Sequence, residues 1–171
     1  MSDQSLVENH NAPKKLVVGW FSFTCCEGCL ILLTELLNEN LDNWKKLIEF
    51  RHLKALKTKN QIEGLDVAFV EGAISSPDQE AELLKIRANA KHLVAVGSCA
   101  CTGRPSATRN DLLNAELNYK VLWYFKQFKY NDKVKKIADL VKVDAQVPGC
   151  PMIASEFIKA VESYLKLYKL I

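Results

Sequence analysis

Three of the six cysteines of this 171-residue chain stand within five residues, in Thr24-Cys25-Cys26-Glu27-Gly28-Cys29. Two of the others follow a glycine closely, in Gly97-Ser98-Cys99 and Gly149-Cys150, and Cys101 lies two residues beyond Cys99. Thiols at this density point to metal or redox chemistry, because the thiolate is both the nucleophile and a soft metal ligand. Cys26 and Cys29 are separated by two residues, so both sulfurs can face one ion or cluster. Gly28 between them removes a side chain where a cluster would sit against backbone. Cys26, Cys29, Cys99 and Cys150 together supply four thiolates from three segments, the usual ligand set of a [4Fe-4S] cluster.

Three other readings stand beside that one. Structural zinc usually takes two close pairs of ligands, whereas this chain offers one pair and two separated singles. A thioredoxin-like Cys-x-x-Cys accounts for Cys26 and Cys29 but leaves Cys99 and Cys150 without a role. Six reduced core thiols in a flavodoxin-like domain are the plainest reading, since free cysteine is among the most buried residue types.

The elements that would position these thiols follow from the apolar pattern. Residues 1–14 read as a polar tail and 15–171 as a single domain, a usual size for one core. Lys15–Phe23 reads as a buried strand, followed by the cysteine loop and an amphipathic helix from about Gly28 to Asn38. Residues 40–60 are charged and irregular, with a short strand near Leu47–Phe50. Leu65–Val70 is a strand that ends in Glu71-Gly72. Ser76-Pro77-Asp78 starts a helix that runs to about Ala90. His92–Val96 is a strand closed by Gly97-Ser98-Cys99. Residues 100–118 form a long polar connection, a functional-loop candidate on length alone. Helices follow over Tyr119–Phe128 and Asp132–Leu140, then a strand over Val141–Val147 and a closing helix from Pro151 to near Tyr168.

Strands alternating with helices predict an α/β fold: a single flavodoxin-like domain with a mostly parallel sheet and helices on both faces. Right-handed crossovers then run the strands in one direction, so the segments that follow them share the carboxyl edge, where such sheets bind ligands. Cys25, Cys26, Cys29, Glu71, Gly72, Cys99 and Cys150 are all expected there.

The net charge of +3 is mild and the basic residues are scattered, which gives no footprint for nucleic acid. The N-terminus has no basic region followed by an apolar one. The most apolar window, Leu30–Leu37, is far too short to span a bilayer. A cytoplasmic protein without a direct membrane span is expected, and in a reducing compartment its thiols are ligands or core groups rather than disulfides.

Cys26-Glu-Gly-Cys29, Val70-Glu-Gly-Ala-Ile74, Gly97-Ser-Cys99 and Gly149-Cys-Pro151 together resemble the small subunit of [NiFe] hydrogenases, in the cluster-binding domain shared with the cluster subunit of respiratory complex I. The resemblance runs from Lys15 to about Tyr168. It implies a proximal [4Fe-4S] cluster on Cys26, Cys29, Cys99 and Cys150, at an interface with a large subunit that binds nickel and iron and cleaves hydrogen. A further iron–sulfur or flavin subunit would be the next electron carrier, since no cysteine for another cluster follows Cys150. Cys25, Glu71, Gly72 and Cys101 would then surround the ligands.

The chain departs from the family pattern at several points. Cys101-Thr-Gly103-Arg104-Pro105 stands where two glycines are frequent, and Met152 where a second proline is. Leu30-Ile-Leu follows Cys29 without the polar side chain often found there. The tandem Cys25-Cys26 is the complex I-type arrangement, which keeps a quinone-reductase cluster subunit as an alternative. A zinc-stabilised or metal-free interaction module is the alternative from another class. The aromatic run Tyr119, Trp123, Tyr124, Phe125, Phe128 and Tyr130 reads as part core and part partner surface. The neighbouring lysines read as a solvated face.

Overall fold

The computed structural model describes residues 14–114 and 119–171. Five parallel strands form one sheet: β1 (Leu16–Ser22), β2 (Ile48–Leu53), β3 (Leu65–Glu71), β4 (Ala90–Val96) and β5 (Ala145–Val147), in the spatial order β2-β1-β3-β4-β5. The chain places β2 on one side of β1 and every later strand on the other. The sheet therefore has its switch point between β1 and β3, where an open α/β sheet leaves a crevice beyond its strand ends.

Period-two alternation divides the strand side chains between two cores. On one face Leu16, Val18, Trp20, Phe69 and Val94 pack under α1 (Gly28–Leu47) and α5 (Ala154–Leu167), with the Phe157 ring edge-on to Trp20, Trp44 and Phe69. On the other, Phe21, Ala68, Val70 and Leu93 pack with Leu83 and Ile86 of α2 (Pro77–Asn89). All seven residues of β3 are buried, as the centre of a sheet covered on both faces requires. Among the described residues no helix is long and apolar enough to cross a membrane.

Several elements differ from the sequence expectation. The first helix continues to Leu47, because Trp44 extends the buried stripe of Leu33, Leu36 and Leu37. The polar run Asn38-Glu39-Asn40 lies toward solvent and does not break the helix, and Asn40 bonds back to the Leu36 carbonyl at 2.9 Å. The second strand, expected near Leu47–Phe50, then begins at once at the β-branched Ile48 and runs to Leu53.

The helix expected over Asp132–Leu140 is absent but for one turn of 3-10 helix at Ile137–Asp139. Competing partners hold the preceding residues extended. Lys135 and Ile74 exchange backbone bonds at 2.9 Å, and the Asn110 side chain both accepts from Val134 N and donates to its carbonyl at 2.8 Å. The last strand is Ala145–Val147 rather than Val141–Val147, since Asp144 breaks the ladder by accepting the Leu93 N–H on its carboxylate at 2.9 Å. Cys99 lies inside a short helix, α3 (Gly97–Thr102), and the connection after it folds into a 3-10 helix at Ser106–Asn114. Pro151 does not open the closing helix: it belongs to a turn in which Gly149 pairs with Met152, and α5 starts at Ala154. The tail assigned to residues 1–14 falls outside the described residues but for Lys14.

Candidate metal centre

The loop after β1 is fastened to the loop after β3. Phe23 N–H donates to the Glu71 carbonyl at 2.9 Å, and Thr24 and Ala73 exchange backbone bonds at 3.0 and 2.9 Å. Gly72 makes this approach feasible: it sits at φ +91°, and a Cβ there would lie 2.8 Å from the Phe23 carbonyl carbon. Beyond Thr24 the chain passes Cys25 and Cys26, turns through the left-handed Glu27 (φ 61°) and enters α1, which carries Cys29 in its first turn.

A second fastening joins the later loops, where Ser98 N–H donates to the Gly149 carbonyl at 2.7 Å. Gly97, at φ +78°, opens α3 directly against Cys29, and a Cβ on it would fall 2.6 Å from the Cys29 sulfur. The result is a small cavity at the carboxyl edge, lined by Cys25, Cys26, Cys29, Cys99 and Cys150 together with Glu71, Gly72 and Gly97. The four cysteines singled out as ligands in the sequence therefore meet in space, and Cys25 joins them. Cys101 does not. Its thiol points into the core under α2, where it donates to the carbonyls of Ala95 at 3.5 Å and Val147 at 3.7 Å.

Burial sets the thiol chemistry. It pushes Cys25 up to about 12 against a bond from the Glu27 N–H, and Cys29 up to about 11 against one from the Met152 N–H. Cys99 is raised by burial and then by the neighbouring Cys150 and Cys26. Burial likewise holds Cys101 at about 11. Cys26 and Cys150 are exposed at the rim. Raised in this way, the buried thiols are protonated at neutral pH and poor free nucleophiles, and binding a cation or cluster would ionise them.

Glu71 is 1% exposed and half-bonded. Its Oε1 accepts from Ser22 Oγ at 2.7 Å and from Trp20 Nε1 at 3.3 Å, while Oε2, buried at the same edge, has no partner among the described residues. Burial raises its carboxyl above the ordinary range in spite of those two donors and of the Leu30 N–H in the first turn of α1, which also favours the ionised form.

Among the described residues no three His, Cys, Asp or Glu side chains converge tightly enough to hold a single metal ion. Five sulfurs standing apart around one space suit a multi-iron cluster, whose ligands bind different irons, better than one zinc ion. The Cys29 sulfur occupies the place a Gly97 Cβ would take, so the glycine lets that thiol reach the cavity wall beside Glu71.

Two features were not legible from spacing. Cavities of about 350 and 400 Å³ flank the thiols, one lined by Trp20, Ser22, Glu27, His52 and Glu82, the other by Thr24, Ser75, Gln79, Arg109 and Tyr130; neither contains a cysteine. Arg109 donates to the carbonyls of Asn131 at 2.9 Å and Ser75 at 3.4 Å, and its guanidinium lies 4.8 Å from the Phe125 ring centre and 5.0 Å from that of Tyr130. This arginine anchors α4 (Tyr119–Gln127) beside the site. Leu122, Trp123 and Tyr124 on it, and Phe128 just beyond its end, remain exposed.

The family described as NADH ubiquinone oxidoreductase, 20 Kd subunit, matches residues 26–164. The chain is 31% identical over 161 residues to the gamma subunit of coenzyme F420 hydrogenase from Methanosarcina barkeri, a match that covers 90% of this chain and 56% of that protein. It is 30% identical over 139 residues to the delta subunit of sulfhydrogenase 2 from Pyrococcus furiosus, covering 78% and 55%. The chain thus spans about half the length of these curated relatives. The delta subunit of the NAD-reducing hydrogenase HoxS from Cupriavidus necator is 26% identical, with 89% of this chain and 79% of that protein covered. In fold, a chain of the crystal structure of an NAD+-reducing [NiFe]-hydrogenase in the H2-reduced state superposes with a TM-score of 0.69 at 24% identity, over 81% of this chain and 84% of that one.

Proposed function

The chain belongs to the NADH ubiquinone oxidoreductase 20 Kd subunit family, and from that premise we propose that it is the electron-transfer small subunit of a cytoplasmic [NiFe] hydrogenase, holding one [4Fe-4S] cluster on Cys26, Cys29, Cys99 and Cys150. The observation that carries this reading is the convergence of those thiols, from three separate segments that follow β1, β4 and β5, on one cavity at the sheet's carboxyl edge. The family is one of iron–sulfur cluster-binding subunits, and the hydrogenase names of the relatives favour a hydrogenase setting.

When bound, a [4Fe-4S] cluster supplies a one-electron relay. The chain's own residues determine how such a relay behaves. Met152 N–H, 3.4 Å from the Cys29 sulfur, favours its thiolate and makes it less electron-rich. The amino end of the twenty-residue α1 adds a partial positive charge beside Cys29. Val96 and the sheet close the inner wall against water, while the exposed Cys26 and Cys150 leave the outer side open to a partner. Hydrogen cleavage belongs, in this reading, to a nickel-containing large subunit, and a further iron–sulfur or flavin subunit carries the electron onward.

The tandem Cys25-Cys26, with both residues lining the cavity, supports a second reading as a complex I-like subunit passing electrons toward quinone. Anaerobic purification of the native complex containing this chain separates the two. Co-purifying nickel and hydrogen-dependent reduction of a viologen dye are the expected results. A nickel-free complex that reduces quinone overturns the hydrogenase reading.

A further inference from the structure

A [4Fe-4S] cluster takes four thiolates, and this cavity offers five. Hydrogen-bond polarity sorts the cysteines. Cys101 donates its S–H to two carbonyls and so serves the fold as a protonated thiol. Cys25 and Cys29 do the opposite. Each accepts one backbone N–H at 3.4 Å, from Glu27 and Met152 respectively, a bond that strengthens when the sulfur becomes anionic. Both are half-buried and both line the cavity. They approach it from different walls: Cys25 packs beside Cys99 and Ala73, whereas Cys29 lies against Gly97 and Met152. Cys25 precedes α1 and Cys29 occupies its first turn, so each sulfur can move by side-chain rotation while the helix stays intact.

We propose that the cavity contains two overlapping ligand sets, Cys26, Cys29, Cys99 and Cys150 or Cys25, Cys26, Cys99 and Cys150, and that Cys25 and Cys29 are exchangeable ligands of one cluster. The proposal rests on the cavity being a cluster site, as read above. In the exchange, the iron–sulfur bond to the outgoing cysteine breaks as the bond to the incoming one forms, and the incoming thiol's proton passes to the outgoing thiolate. Iron and sulfide keep their oxidation states, so no oxidant or reductant is required. The consequence is a cluster that survives the loss or oxidation of either loop cysteine.

The test is anaerobic reconstitution of the full chain with ferrous iron and sulfide, followed by iron and sulfide counting and EPR of the dithionite-reduced form. Cys25→Ala and Cys29→Ala are each expected to keep about four irons with mutually distinct EPR signals, whereas the double variant loses most of its iron. Circular dichroism of the iron-free proteins checks folding. A second measurement needs no variant: methyl methanethiosulfonate is applied to the loaded wild-type chain and the modified cysteines are read by mass spectrometry. Partial modification of both Cys25 and Cys29, summing to about one thiol, is expected. Complete iron loss from one single variant alone, or full modification of one cysteine with full protection of the other, overturns the exchange while leaving the cluster in place. A wild-type chain that takes up no iron overturns the cluster reading itself and the exchange with it.

Discussion

Strand β3 carries a buried carboxylate at each end, and the two are treated oppositely. At the amino end Asp66, 7% exposed, has both oxygens bonded: one accepts the Val17 N–H at 3.0 Å and the other meets Lys91 at 2.7 Å. At the carboxyl end Glu71, still more deeply buried, has one oxygen doubly bonded and the other without a hydrogen bond of its own among the described residues, though the Leu30 N–H of α1 favours the ionised carboxylate. The same asymmetry extends across the sheet. The amino edge is closed by Asp66 and by Asp144 with Arg87, Lys142 and the Leu93 N–H. The carboxyl edge is held by backbone fastenings between loops and gathers five thiols and the Glu71 carboxylate around one cavity. At the amino edge both carboxylates are bonded, and Arg87 Nη1 makes a 3.5 Å ion-pair contact to Asp144 in place of a hydrogen bond. At the carboxyl edge it is the carboxylate itself, through Glu71 Oε2, that goes without one among the described residues.

Substitutions at the two edges should separate these roles. The largest effect is expected from Gly97→Ala, which adds a Cβ 2.6 Å from the Cys29 sulfur at a φ that L residues avoid. Left-handed strain and overpacking together cost roughly 2–5 kcal/mol. Denaturant melts should register that loss, and reconstitution should show depleted iron. Asp66→Ala acts at the opposite edge. It strands the Val17 N–H and should cost about 1–3 kcal/mol in the same melts, with iron content unchanged. Iron loss in the Asp66 variant would break the division between the edges.

Glu71→Gln should move stability the other way. Its carboxyl is raised by burial, so the ionised form destabilises the iron-free fold at pH values above that raised range. The neutral variant is therefore expected to melt a few degrees higher than wild type at neutral pH, with the two converging as the pH falls and Glu71 protonates. A variant less stable at every pH would show that the carboxylate is fully satisfied after all. The smallest effect concerns Asp144. Burial opposes its ionisation, but the Leu93 N–H, Lys142 and Arg87 outweigh it and hold its carboxyl below the ordinary value of 3.8. The depressed group contributes stability above about pH 3.8, and loses it as the pH falls through the lower folded value. Asp144→Asn should therefore lower stability in urea melts at pH 7, and the gap to wild type should shrink in acid.

The central strands and the convergence of Cys26, Cys29, Cys99 and Cys150 were legible because they depend on strong local signals: continuous apolar runs, a Ser-Pro helix start and glycines at strand ends. Topology supplied the rest, since parallel strands deliver their following loops to one edge. What escaped the sequence depends on long-range polar competition. Nothing in the periodicity of Asp132–Leu140 shows that Asn110 and Ile74 will hold its backbone extended. Nothing in the polar run at Asn38–Asn40 shows that it will face solvent while Trp44 continues the buried stripe. Cys101 reads as a neighbour of the ligands because it lies two residues from Cys99, yet the turn of α3 sends the two thiols to opposite sides. For Cys25 the reverse holds: spacing leaves it beside the ligands, and the folded loop puts its sulfur in the cavity wall with them.

The most direct test of a cluster at the carboxyl edge is the metal content of the chain purified without oxygen. About four irons and four sulfides per chain, with an EPR signal that appears on reduction, are predicted for a [4Fe-4S] cluster there. A well-folded chain that is colourless and iron-free, or that carries a single zinc ion, would contradict it.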